Sequence, residues 1–116
     1  MANLKKMSLR QIAEASVDAL GVKIANVNDE LRTRYNLAEG TEGVIVTDVS
    51  SDSFAAEKGV RPGDIIIEAS HSSVSNVEDV IDAVKSAVDD EKRTILMLIE
   101  TSAGARYFGL TLNAEQ

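Results

Sequence analysis

Two stretches of the chain, Gly43-Val44-Ile45-Val46 and Ile65-Ile66-Ile67, are apolar at every position and leave no room for a solvated face. Runs of this kind predict strands covered on both sides, so the segments at about 43–49 and 64–69 should be central in a sheet. Val22-Lys23-Ile24-Ala25-Asn26-Val27 behaves differently: after Gly21 it alternates apolar and polar, which predicts a half-buried strand. Over residues 76–88 the period lengthens to that of a helix. Val77, Val80, Ile81, Val84, Ala87 and Val88 recur on one side, and Glu78, Asp79, Asp82 and Lys85 stand opposite. Arg93–Glu100 and Ala105–Leu112 predict a closing hairpin around Thr101-Ser102-Ala103-Gly104, with Gly104 free to take positive φ.

The shorter elements follow from their caps. Residues 8–18 predict a short helix, with Ser8 as N-cap, Gln11 three residues on, and Leu9, Ile12, Ala13 and Val17 on one face. Asn28 or Asp29 should cap a helical turn running to Tyr35. Asp52–Gly59 predicts another short helix closed by glycine. Between it and the second apolar strand stands Arg61-Pro62-Gly63-Asp64. Proline fixes φ for the second position of a turn, and glycine accepts the positive φ that a type II turn requires next.

A chain of 116 residues fits one domain and can bury a core without disulfides or metals. With two Tyr, two Phe and no Trp, that core must be built from Val, Ile, Leu and Ala, and little remains for stacking on bases. A net charge of −7 opposes contact with phosphate backbones, so nucleic acid is not an expected partner. No apolar run approaches the ~20 residues that span a bilayer, and Met1-Ala2-Asn3-Leu4-Lys5-Lys6-Met7 lacks the apolar stretch of a signal peptide. With no cysteine there is neither a disulfide framework nor a thiolate metal site.

Catalytic chemistry finds little to use. A Ser-His-Asp triad would need His71, which lies in the polar turn Ala69-Ser70-His71-Ser72-Ser73 with no strained nucleophile turn beside it. Asp89-Asp90-Glu91 lacks the spaced ligands and glycine of a calcium loop and reads as a solvated charge run. No glycine-rich phosphate loop occurs. Neither cofactor nor metal is expected, and the chain is not expected to be an enzyme by itself.

In the order helix, closing glycine, Pro-Gly turn, apolar strand, second helix, the run Asp52–Val80 resembles the centre of a bacterial PDZ domain. The resemblance covers about residues 19–112, and in detail is to the second PDZ domain of an HtrA/Do-type periplasmic serine protease. The segment Leu31-x-x-x-Tyr35-Asn36-Leu37 before Gly43-Val44-Ile45-Val46 favours that type over the PDZ domains of intramembrane zinc proteases or secretion components. It implies an α+β, mainly β fold, a five- or six-stranded sandwich or partly open barrel with two main helices. Residues 1–17 would be an N-terminal extension or linker carrying the short helix, and 18–116 the PDZ-like domain. His71 stands where relatives usually have Asn-Gly, which leaves the turn type there open.

The resemblance also implies a site. Asp18-Ala19-Leu20-Gly21-Val22 matches the family's carboxylate-binding loop, in which consecutive backbone N–H groups turn toward an anion and glycine permits the turn. Taken alone, these residues read only as the start of a strand; the helix at 76–88, at the separation the family requires, is what singles them out. The N–H groups of Leu20, Gly21 and Val22 would hold a peptide carboxylate. Ile24 with Val77, Ile81 and Val84 would line the groove, while Val80, Ala83, Ala87 and Val88 face the core. Expected partners are C-terminal or unfolded peptide segments, added as a strand to the edge at Val22–Val27, together with other domains or protomers of a periplasmic parent protease. The competing expectation is an assembly module with no peptide of its own, and an edge at 22–27 covered by the N-terminal helix or by strand 105–112 would favour it.

Overall fold

The structure, a computed structural model, describes residues 14–38, 40–41 and 43–112. Along the chain run β1 (Glu14–Val17), β2 (Val22–Asn26), α1 (Asp29–Arg34), β3 (Val44–Val49), α2 (Phe54–Lys58), β4 (Ile65–Ala69), β5 (Ser72–Ser73), α3 (Val77–Asp89), β6 (Thr94–Thr101) and β7 (Gly104–Thr111). The strands form one antiparallel sheet in the order β1-β2-β3-β4-β6-β7, with β5 paired to β4. The fold is therefore mainly β with three helices among the described residues, and the two uninterrupted apolar runs occupy central positions as their patterning requires.

Each helix begins where a side chain can take an orphan N–H. Asn28 accepts from the Leu31 N–H at 2.8 Å, Ser53 from Ala56 at 3.0 Å, and Asn76 from Asp79 at 3.0 Å. Helix α2 ends on Gly59 at φ 96°, the left-handed closure expected of that glycine. At the Pro-Gly turn, Gly63 has φ 101° and the Asp64 N–H returns to the Arg61 carbonyl at 3.1 Å. The buried Asp64 carboxylate accepts from the Arg61 N–H, which closes the turn from its other side.

The centre of the sheet is covered on both faces. A large cluster on one face joins β2, β3, β4, β6 and β7 to α3 through Ile24, Val46, Ile66, Val77, Val80, Met97 and Phe108. A smaller cluster under α1 joins Ala25, Leu31, Ile45 and Ile65, with Tyr35 and Leu37 packed on it. Over Val44–Val46 and Ile65–Ile66 both faces are thus covered, which is why these stretches carry no polar residue.

Two elements depart from expectation. Residues 14–17 are a strand, where a helix over 8–18 was expected; residues 8–13 lie outside the described ones. A helix would have left one edge of β2 without ladder partners, and the alternation of exposed Glu14 and Ser16 with inward Ala15 and Val17 fits a strand on that edge. The second is β5, a two-residue strand after a tight turn in which Ser70 and His71 have φ 53° and 68°. Among the described residues these two strands bring the sheet to seven, against the five or six expected.

Candidate functional site

At one end of the sheet the chain reverses from β1 into β2 through Asp18-Ala19-Leu20-Gly21. Val17 stands opposite Val22 across this loop, and the pairing continues through Ser16–Lys23, Ala15–Ile24 and Glu14–Ala25. The loop turns two backbone donors onto one oxygen. The N–H groups of Leu20 and Gly21 both donate to the Val17 carbonyl, at 3.0 and 2.9 Å.

Gly21 is required here for two separate reasons. Its φ of 74° lies in the left-handed region, and a Cβ built on it would stand 2.5 Å from the Ser53 Cβ. The close approach is held from the other side, where the Ser50 N–H donates to the Gly21 carbonyl at 2.8 Å. The loop is thereby fastened to the start of α2. The charged neighbours are mostly acidic: Asp18, Asp48 and Asp52 share a cleft of about 340 Å³ with a single cation, Lys23. An anion arriving at this loop would be held by main-chain N–H groups, against the prevailing side-chain charge.

Helix α3 packs against both β1 and β2. Its start is fixed by a contact between residues far apart in the chain: the Asn26 Oδ1, at the end of β2, accepts from the Val77 N–H at 2.7 Å. Asn26 therefore sets the distance between helix and strand. Sequence reasoning assigned it no role, and with the partners 51 positions apart no local pattern could have revealed one.

The expected site residues are spread along the loop, β2 and α3 and share one cluster. Leu20, Val22, Ile24, Val77 and Val84 are all buried in the large cluster, Ile81 is half-buried against it, and Gly21 forms the loop beside them. Val77 and Val84 contribute to the core as it stands, alongside Val80 and Ala87. The difference from expectation lies at the edge of β2, which is not open. It is paired along Val22–Ala25 by the chain's own residues 14–17, and Val17 is buried in the cluster with Ala15 packed against it. Val17 and Ala15 thus pack at the candidate site from a strand that sequence reasoning missed; their alternation over four residues was too short to separate from a helix face. His71 is exposed, at the far side of α3.

Comparison with known proteins points to a family by sequence and to its fold by structure. The sequence profile of the PDZ domain matches residues 45–97. A probable periplasmic serine endoprotease, DegP-like, from Bartonella henselae is 40% identical over 89 residues, covering 73% of this chain and 18% of that protein. Its counterpart in Chlamydia muridarum is 32% identical over 98 residues, covering 82% of this chain and 19% of that protein. The chain thus spans less than a fifth of the length of these relatives. Among solved structures, the HtrA3 PDZ domain bound to a phage-derived ligand (FGRWV) superposes with a TM-score of 0.66 at 16% identity, covering 86% of each chain. The HtrA-type protease AlgW with a decapeptide gives 0.58 at 24% identity, covering 80% of this chain and 27% of that one.

Proposed function

Because this chain belongs to the PDZ domain family and is similar to the PDZ region of DegP-like periplasmic serine endoproteases, we propose that it is a peptide-binding module that takes extended segments, through a free C-terminus, by strand addition to β2. The matched PDZ region is the non-catalytic part of such proteases. The observation that carries the reading is the convergence of the Leu20 and Gly21 N–H groups on one oxygen at the start of β2, a strand that packs against α3. A terminal carboxylate placed there would take those donors, with Val22 adding a third. Its last side chain would enter among Leu20, Ile24, Ile81 and Val84, and Val77 would face the residue further back. Micromolar affinity, about −8 kcal/mol, suits so small a site once ordering costs are met. The parent would be a periplasmic serine protease whose substrates this domain helps to present.

The covered edge of β2 favours a second reading, in which the domain serves contacts between domains or protomers and takes no peptide. Selection from a library of C-terminal peptides, followed by NMR titration of the best binder, separates the two. Binding predicts enrichment of apolar C-termini and shifts concentrated at Leu20, Gly21, Ile24 and Ile81. No enrichment, or shifts elsewhere on the surface, would leave the assembly reading in possession.

A further inference from the structure

The segment that closes the β2 edge has the properties expected of a ligand. Its strand is antiparallel to β2 and in register from Glu14 to Val17. Its last residue places an aliphatic side chain in the buried cluster that also holds Leu20, Ile24 and Val84, and Ala15, two positions back, packs on the same cluster. Glu14 and Ser16 point to solvent. The Val17 carbonyl then takes the two loop N–H groups.

We propose that Glu14–Val17 is a tethered occupant of the peptide slot, so that an external peptide binds only when β1 detaches. This rests on the binding reading above. The tether differs from a free peptide at one point: its Val17 oxygen is a neutral amide carbonyl, because the chain continues into Asp18. A free terminus brings a second oxygen and a full charge to the same donors, and so forms stronger bonds there. The tether has the compensating advantage of proximity, since a short connection holds it at an effective concentration of order millimolar. External ligands therefore compete on chemistry against concentration, and their apparent affinity is reduced by the fraction of molecules in which β1 is docked. The ligand class follows from the occupant: an extended segment ending in a small aliphatic residue, with another small side chain two positions earlier.

Ser16 and Lys23 are directly opposite and both exposed, and the chain has no cysteine. In the full chain, Ser16→Cys with Lys23→Cys can thus form a single cross-strand disulfide that locks β1 in place. The probe is a labelled synthetic peptide, Ile12-Ala13-Glu14-Ala15-Ser16-Val17, with a free terminal carboxylate. The reduced protein should bind it and the oxidised protein should not, with unchanged circular dichroism. A second variant, Val17→Ser, weakens docking of the tether and should bind the probe about 10-fold more tightly than the unmodified chain. If that variant does not fold, the disulfide pair decides alone. Equal binding by oxidised and reduced protein overturns the tether and leaves the binding module intact. Absence of binding by both reduced and Val17→Ser protein overturns the two together.

Discussion

Replacing Gly21 by alanine introduces a single methyl group with two separable costs. The first is conformational: at φ 74° an L-residue with a Cβ is disfavoured by about 1–2 kcal/mol. The second is steric, because the new Cβ would lie 2.5 Å from the Ser53 Cβ, and overpacking of this kind costs about 1–3 kcal/mol as the backbone shifts. Together they predict a loss of about 2–5 kcal/mol, read as a lower urea midpoint at unchanged slope. A double-mutant cycle tells the two apart. Ser53→Gly removes the clashing atom, with a loss of a few tenths of a kcal/mol from the α2 cap and the further loss of its Oγ bond to the Ser50 carbonyl. In its presence the steric cost of Gly21→Ala should vanish and the conformational cost remain. The double variant should therefore be about 1–3 kcal/mol more stable than the sum of the singles. Additivity within about 0.5 kcal/mol would show that Gly21 and Ser53 are not in contact and would refute the account of the loop.

On α3, Ile81→Lys should weaken peptide binding by about 1–3 kcal/mol with little loss of thermal stability, whereas Val80→Lys buries an ammonium in the core and should threaten folding. Calorimetry and thermal melts of the two variants check this, and exchanged roles would show the helix faces misassigned. At the β4–β5 turn, Ser70→Asn with His71→Gly supplies the residues that tolerate two successive positive φ values, and should gain about 1 kcal/mol in urea unfolding; a loss would contradict the turn. Desolvation raises the pKa of Asp64 above 3.8, against the opposing pull of the Arg61 N–H and the Arg61 charge. A raised acid binds more protons folded than unfolded, so its contribution is complete below the unfolded pKa and is lost as pH rises through the folded one. Asp64→Asn keeps an acceptor for the turn, and the difference between the two stability curves should fall as pH rises from just below about 4; a flat difference would refute it.

The parts of the fold that were legible in the sequence are those fixed by local chemistry. Pro62 and Gly63 permit few backbones, Asn28 caps its own helix, and the apolar runs at Val44–Val46 and Ile65–Ile67 admit no solvated face. The helical period over 76–88 likewise separates a buried side from a charged one. Long-range choices were not legible. Residues 14–17 offer Ala15 and Val17 equally to a helix or a strand, and only the edge of β2 decides. The Asn26–Val77 bond joins two residues that each look locally satisfied. Ser70-His71 hides its turn type, because neither residue announces positive φ as Asn-Gly would. Nor could periodicity divide α3 between slot and core, since Val77, Val80 and Val84 all belong to one continuous cluster.

The claim on which the functional account turns is that the backbone N–H groups of Leu20, Gly21 and Val22 receive a terminal carboxylate. Titrating one peptide with an apolar C-terminal residue, as free acid and as amide, into the full chain by calorimetry measures it directly. Hydrogen bonds to an ionised acceptor contribute roughly 1.5–3 kcal/mol, so amidation should weaken binding by about 10- to 100-fold. Equal affinities of acid and amide would mean that the loop holds no carboxylate, and the site assigned to it would have to be given up.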